Sequence, residues 1–296
     1  MMVLHELTSR FELIRLNVSM LLLEDVQLPE FKGSMWHGWF GQMLKAHDGR
    51  AYHICFGEFD QRQPKPYMVC PVGDNKLKWR KGELIQVEIS LFGRACELVH
   101  TVVEAIKASV SNSSIGIGVC KASYQVVSIS SVTPKGFRAG VHTTSLCDWY
   151  AVPTSLSGIE QELALQFVTP VRVKFHGQLV RSEVPDMSFW LNHIIRRLVL
   201  LSRYWVLDND CLMDAIYQEA QSLMPSYLSE TNSFVVWEDW LRYSKTHKDF
   251  LPFGGLSGQI SFFGEIQNLI PYFQIGEQLH LGGKTTFGLG RFQVIY

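Results

Sequence analysis

Residues 280–296, HLGGKTTFGLGRFQVIY, place a run of glycines directly before the last segment of the chain. The GLG at 288–290 precedes FQV at 292–294, and an earlier GIG at 116–118 precedes YQV at 124–126. Glycines permit turns and close backbone approach, and the alternating residues after them are typical of strands. Two endings of the same kind indicate that one structural plan occurs twice.

Each glycine segment closes a series of elements with the same order in both halves. The predicted elements of the first half are a strand at 12–23, a helix over MWHGWFGQMLK, a strand at 84–92, a helix at 95–109 and a strand near 123–131. Those of the second half are a strand at 162–175, a helix at 188–205, a strand or hairpin at 256–266 and the last strand. The ferredoxin-like order is strand-helix-strand-strand-helix-strand, and both series follow it in part.

We therefore predict an α+β protein with two tandem ferredoxin-like (RRM-like, βαββαβ) domains and a central groove. The predicted N-terminal domain covers residues 1–131 and the C-terminal domain covers 162–296. Residues 132–161 are polar and rich in turn formers, which predicts an irregular connector.

Composition is that of a globular protein with room for two domains. Of the 296 residues, 47% are hydrophobic and 19% charged, and the formal net charge is −1. A nucleic-acid binder is usually basic overall, so this net charge does not indicate one, but a local basic face would be enough. The six cysteines form no C-x-x-C pair, and the apolar runs are too short for a membrane span. These features favour a reduced cytoplasmic protein without a zinc ribbon.

Gly283-Lys284-Thr285 resembles the end of a phosphate-binding P-loop, but its surroundings do not. The motif needs an early glycine where this chain has Gln278, and a helix after it. The residues that follow predict a strand, so a P-loop is disfavoured. Two alternatives remain: a glycine-rich turn without a ligand, or a loop whose backbone accepts phosphates.

With these segments placed, the sequence resembles the CRISPR-associated endoribonucleases of the RAMP superfamily, which cut the repeat RNA of the crRNA precursor. The segments that carry the resemblance are LPEFKGSMWHGWFGQML (28–44), PKPYMVCPV (64–72), ISLFGRA (89–95), VTPVRVKFHGQLV (168–180), WEDWLRYS (237–244), LPFGGLSGQISFFGEI (251–266) and GEQLHLGGKTTFGLGRFQV (276–294). The resemblance covers most of the chain and is weakest at 132–161.

The resemblance implies two ferredoxin-like domains and RNA cleavage without a metal or other cofactor. In that reaction the 2′-hydroxyl attacks the adjacent phosphate and leaves a 2′,3′-cyclic phosphate and a 5′-hydroxyl. The implied partners are CRISPR repeat RNA, mature crRNA and other subunits of an effector complex, with no membrane. A base must take the 2′ proton, an acid must protonate the leaving oxygen, and histidine suits both tasks near neutral pH.

The resemblance places the catalytic histidine just past the first helix, which is the position of His47 here. Asp48-Gly49 should end that helix directly after it. Tyr52 and His53 are near enough in sequence to assist. His37, within the helix at the edge of its apolar stripe, is the alternative and is expected to pack or to contact RNA. Without the resemblance, the residues around His47 would predict only a solvated histidine beside a helix cap.

The glycine-rich loop (residues 282–291) is the expected RNA-binding element. Its candidate contacts are Gly282, Gly283, Lys284, Thr285, Gly288, Gly290 and Arg291. His280, just before it, is expected to face RNA. Arg196 and Arg197 are expected to lie opposite the apolar face of their helix, where RNA contact and plain solvation are both open. Arg242 and Lys245 would extend the basic track.

Two other functions are consistent with these patterns. A non-catalytic RAMP subunit would keep the fold and the glycine-rich loop and bind guide RNA without cutting it. A small-molecule enzyme or regulatory protein with duplicated ferredoxin-like halves would show no preference for RNA. No histidine pair has the spacing of a metalloprotease zinc site, so no metal ligand is predicted.

Overall fold

The computed structural model describes residues 1–57, 60, 63–73, 76–151, 160–182, 184–225, 228–239, 241–244 and 249–296. The elements of the first half are α1 (Met2–Ser9), β1 (Glu12–Leu22), β2 (Val26–Gln27), α2 (Gly33–His47), α3 (Gly49–Phe56), β3 (Tyr67–Pro71), β4 (Lys78–Trp79), β5 (Leu84–Phe92), α4 (Val99–Ser109), β6 (Tyr124–Thr133), β7 (Gly136–Ala139) and β8 (Thr144–Ser145). Those of the second half are β9 (Gln161–Val171), β10 (Lys174–Phe175), β11 (Gln178–Leu179), α5 (Met187–Trp205), α6 (Asp210–Ser222), β12 (Leu228–Glu238), β13 (Leu241–Ser244), β14 (Asp249–Pro252), β15 (Gly255–Gly264), α7 (Ile270–Leu279) and β16 (Phe292–Ile295).

Two antiparallel sheets form the framework of the chain. The first has the strand order β3-β5-β1-β6-β7, and the second has the order β12-β15-β9-β16. In each sheet the first long strand of its half, β1 or β9, lies between the third and the fourth strands of a βαββαβ unit. The predicted tandem ferredoxin-like fold is confirmed.

Helix α2 forms because one side of it is strongly apolar. The residues of the predicted stripe are all buried: Trp36, Trp39, Phe40, Met43 and Leu44. The helix ends at His47, and Asp48 then caps the next helix, where its side chain accepts a hydrogen bond of 2.7 Å from the Ala51 backbone N–H. The predicted end of this helix at Asp48-Gly49 is therefore confirmed.

The two halves share a continuous apolar interface. One face of the first sheet packs on α2 and α4, in a core with Leu16, Val69 and Ile89. On its other face Met68 and Phe92 join the core that contains the buried sides of α5 and α7. Side chains on alternate positions of a strand point to opposite faces, so the first sheet contributes to both cores.

Two segments lie differently from the predicted domain plan. Helix α1 packs with the second half, where Leu4 and Leu7 enter its core and the Val3 backbone N–H donates to Glu219 Oε1 at 3.1 Å. Within the predicted connector, β7 pairs with β6 and β8 pairs with β1, so residues 136–145 extend the first sheet. Because both segments are short and lack strong periodicity, their pairing depends on tertiary contacts that the pattern does not encode.

Candidate functional site

The glycine-rich loop folds back on itself and docks on strand β3. The Leu281 backbone N–H donates to the Gly290 carbonyl at 2.8 Å, and the Gly290 N–H donates to the Pro170 carbonyl at 3.0 Å. Gly288 has a φ of +80°, and a Cβ there would lie 2.8 Å from Pro71 Cδ. Side chains rarely adopt this φ and would not fit at this distance, so Gly288 is required for the close approach.

Within the loop, full exposure is confined to the tip. Gly283 and Lys284 are exposed, whereas Thr285, Gly288 and Gly290 are buried. After the tip the chain makes a 3₁₀ turn and then β16, with no P-loop helix. The later glycines of the loop are therefore packed, whereas Gly283 and Lys284 are accessible to a ligand.

Helix α2 brings His37 against this loop. The His37 ring stacks on the Phe287 ring, with centroids 3.9 Å apart and planes at 20°. Its Nε2 lies 3.0 Å from the Tyr67 hydroxyl on β3, and its edge meets the Phe56 ring at 5.2 Å. His37 is half-buried, so three aromatic side chains from three elements fix its orientation while part of it remains accessible.

His47 lies at the opposite end of the same helix. Ten positions at a rise of about 1.5 Å per residue separate the two histidines by about 15 Å along the axis. His47 is exposed, and its Nε2 lies 3.8 Å from Glu104 Oε2 on α4. The structure thus brings His37, rather than His47, to the glycine-rich loop.

The two predicted helper residues lie on α3. Tyr52 stacks on Phe56 with centroids 5.1 Å apart, and Phe56 in turn contacts His37. His53 is exposed. Tyr52 is therefore linked to His37 through one intervening ring.

Arg291, at the end of the loop, takes part in an ion-pair network between the halves. Its Nη1 lies 3.6 Å from Glu88 Oε2, which also accepts from Arg15 Nη2 at 2.9 Å. Arg15 Nη1 donates to Gln278 Oε1 at 2.6 Å. Glu277 also lies near both arginines, whose charges act to lower its pKa while burial raises it. Two cations and two carboxylates therefore meet beside the buried end of the loop.

Arg197 does not lie where the sequence places it. Its Nε donates to the Leu279 carbonyl, and its Nη2 lies 3.6 Å from Met68 Sδ on β3. Burial lowers the pKa of the Arg197 guanidinium to about 10. The expectation that Arg197 lies opposite the packed face of its helix is wrong, because α5 packs against both sheets; Arg196 is exposed, as expected.

The side chains of two further predicted RNA contacts, Arg242 and Lys245, are outside the described part of the structure. Arg242 belongs to strand β13, of which the backbone alone is described. Lys245 lies outside the described residues, as does His247.

His280 is buried, not turned toward a ligand. Its Nδ1 lies 3.2 Å from the Leu289 carbonyl and its Nε2 lies 3.8 Å from Cys70 Sγ. Burial, with Arg291 and Arg197 nearby, holds the pKa of His280 well below its usual range. The expectation that His280 faces RNA is wrong, since the close packing of the loop on β3 encloses it.

A pH-dependent stability follows from this buried histidine. The unfolded chain takes up a proton near the ordinary histidine pKa of about 6.5, whereas folded His280 stays neutral. Stability from His280 is therefore complete above that pH and falls below it, by at most about 1.4 kcal/mol per pH unit. Urea unfolding of wild type and His280→Gln between pH 7.5 and 5 should show a shallower pH dependence in the variant. Equal slopes would contradict this assignment.

The described part of the chain holds no metal-type cluster. Among those residues, no group of three or more His, Cys, Asp or Glu side chains could hold a metal ion. The six cysteines are free thiols, and burial raises the pKa of Cys55, Cys70 and Cys96 to about 12. None of the helices described is both long and apolar enough for a membrane crossing.

Two parts of the chain match models of known protein families. Residues 165–292 match the family model of the CRISPR-associated endoribonuclease Cas6. The second half of the chain therefore resembles Cas6. Residues 11–146 match a second family model, described as an N-terminal domain, and no curated protein matches the chain significantly.

Solved Cas6 structures share the fold over nearly the whole chain. A Cas6 product complex superposes with a TM-score of 0.62 at 14% identity, covering 96% of this chain and 100% of the other. Cas6 from Thermus thermophilus gives a TM-score of 0.56 at 12% identity, covering 96% of this chain and 99% of the other. A partial Cas6-RT-Cas1–Cas2 complex gives 0.62 at 11% identity, with 97% of this chain and 46% of that one covered. The present chain thus spans less than half of that last protein. The predicted resemblance to the CRISPR-associated endoribonucleases is confirmed for residues 165–292 by the family model.

Proposed function

We propose that the chain is an endoribonuclease that binds CRISPR repeat RNA and cuts the precursor transcript to release mature crRNAs. The observation that carries the proposal is the contact between His37 and the glycine-rich loop, which lies in the segment that matches the Cas6 family model. This contact puts a proton-transfer group beside a loop whose exposed tip can receive a phosphate. The Cas6 product complex among the similar structures supports the same class of substrate.

The proposed reaction uses the substrate's own 2′-hydroxyl as the nucleophile. This hydroxyl attacks the adjacent phosphorus, the bond to the 5′ oxygen of the next nucleotide breaks, and a 2′,3′-cyclic phosphate and a 5′-hydroxyl remain. One proton must leave the 2′ oxygen and one must reach the leaving oxygen. His37 is proposed as the group that carries out one of these transfers.

Tyr67 holds the imidazole for that task. Its hydroxyl lies 3.0 Å from His37 Nε2, and burial holds the pKa of Tyr67 well above its usual range. The phenol therefore stays protonated and can donate to Nε2, which would keep the other ring proton on Nδ1. Phe287 restrains the face of the ring, so rotation of His37 is limited from two directions.

The exposed tip of the loop is the proposed phosphate contact. Lys284 lies there in a left-handed conformation, with φ of 65°, next to exposed Gly283. A lysine ammonium offers three donors to a phosphate, and the absence of a side chain at Gly283 lets RNA approach the backbone. Repeat RNA and other CRISPR proteins are the proposed partners, since one similar chain belongs to a Cas6-RT-Cas1–Cas2 complex.

Replacing the 2′-hydroxyl before the cut with hydrogen is expected to abolish cleavage while RNA affinity stays within about threefold, because phosphate contacts dominate binding. EDTA should leave the wild-type rate unchanged. The measurement is single-turnover cleavage of repeat RNA with analysis of both product ends. Cleavage of the deoxy substrate, or inhibition by EDTA, would contradict the mechanism; tight binding without any cut would instead identify a non-catalytic RAMP subunit.

A further inference from the structure

Two arginines of the second half converge on one tryptophan. The Arg181 guanidinium carbon lies 4.9 Å from the centroid of the Trp237 ring, and that of Arg172 lies 6.0 Å from the same centroid. Arg172 Nη1 also donates to the Gly254 carbonyl at 2.6 Å, which anchors it. A guanidinium over an aromatic face keeps its N–H donors in the plane of the group, where they can meet a second ligand.

The cluster of Arg172, Arg181 and Trp237 carries two positive charges. Burial lowers the pKa of Arg172, the positive charge of Arg181 lowers it further, and among the described residues Asp239 acts in the opposite direction. Asp239 Oδ1 is itself hydrogen-bonded, since it accepts from Trp237 Nε1 at 2.6 Å. Two like charges beside one exposed carboxylate favour the approach of an anion.

The cluster adjoins the tip of the glycine-rich loop. The Arg172 carbonyl accepts from the Gly283 N–H at 2.8 Å, and Arg172 forms an isolated parallel bridge with Gly282. Lys284 follows directly in the chain. Backbone contacts therefore hold Arg172 next to Gly282 and Gly283, directly before Lys284 at the loop tip.

The hairpin between the two arginines adds to the same surface. Strands β10 and β11 form it, and Lys174, Phe175 and His176 on it are all exposed. A single small anion would need only one pair of arginines. A run of cations and aromatic rings is what the backbone and bases of RNA use.

We propose that Arg172, Arg181 and Trp237 form a second RNA-binding site. It binds phosphates of the RNA segment adjacent to the one that the loop tip contacts. Trp237 serves as the platform that orients the guanidinium groups, and their in-plane N–H donors bind phosphate oxygens in the bidentate manner of arginine. This inference rests on the proposed function, because it assumes that repeat RNA is the ligand.

The test is the affinity for repeat RNA as a function of salt concentration. Arg181 is exposed, so the Arg181→Ala protein should fold normally. Its dissociation constant for repeat RNA should be about tenfold higher than that of wild type. The slope of log affinity against log salt concentration should be smaller by about 0.9, the value for one phosphate contact. Arg181→Lys keeps the charge without the planar fork and should recover only part of the affinity.

The matched control is Arg10→Ala, which removes another exposed positive charge, at the C-terminal end of helix α1, where Arg10 pairs with Glu6. It should change affinity less than about twofold. If wild type binds and cuts repeat RNA but Arg181→Ala keeps its dissociation constant and salt slope, the second site is overturned while the proposed function stands. If Arg181→Lys binds repeat RNA as tightly as wild type does, the proposed role of Trp237 in orienting the guanidinium groups is contradicted. If wild type neither binds nor cuts repeat RNA, the proposed function itself fails.

Discussion

His37→Ala is expected to lower the single-turnover cleavage rate about 10²- to 10⁴-fold, the usual range for a lost acid or base. The dissociation constant for RNA should change less than about threefold, because phosphate contacts elsewhere supply most of the affinity. Measuring at saturating protein separates the chemical step from binding. The physical reason is the placement of the ring, which stacks on Phe287 of the glycine-rich loop at 3.9 Å.

His47→Ala is the matched control for this experiment. It removes the same side chain from the same helix, about 15 Å farther along its axis and beside Glu104. It should cut RNA at nearly the wild-type rate. If His47→Ala is inactive and His37→Ala cuts normally, the catalytic histidine is the one that the sequence resemblance places at 47. If both cut normally, the proton transfer must be sought at Tyr52 or His53.

The fold could be predicted because its signals are local and occur twice. The apolar stripe of α2 and the alternation in β5 each follow from the period of one element. The glycines before β6 and β16 mark the same point in both halves. A βαββαβ order repeated in this way leaves few topologies open, and both sheets have the order it implies.

The site could be predicted less well because it forms between segments distant in sequence. Periodicity places both His37 and His47 on one helix, but it does not show which end meets the other half. That depends on the docking of Phe287, a residue 250 positions away from His37. The apolar pattern misplaces Arg197 for a related reason: the packing of α5 against both sheets buries more of the helix than one apolar stripe suggests.

Gly290→Ala is expected to lower the free energy of unfolding by about 3 kcal/mol and to reduce cleavage severely. Gly290 has a φ of +78°, and a Cβ there would overlap the Leu281 carbonyl oxygen. The backbone bonds that close the loop would have to shift, and Phe287 would shift with them. Urea unfolding followed by circular dichroism measures the loss of stability, and single-turnover cleavage measures the loss of alignment at His37.

Gly283→Ala separates packing from binding within the same loop. Gly283 is exposed, its φ is outside the left-handed region, and a Cβ would lie 3.7 Å from the Arg172 carbonyl oxygen, an ordinary contact. Its stability should remain within about 0.5 kcal/mol of wild type, while RNA affinity falls because the added methyl group limits approach to the tip. The sequence alone suggests that all the loop glycines serve RNA binding. Because Gly290 is buried and Gly283 is exposed, the same substitution should damage the fold at one position and the affinity at the other. If Gly290→Ala is as stable as wild type and loses only RNA affinity, the buried glycines serve RNA binding and their assignment to packing is contradicted.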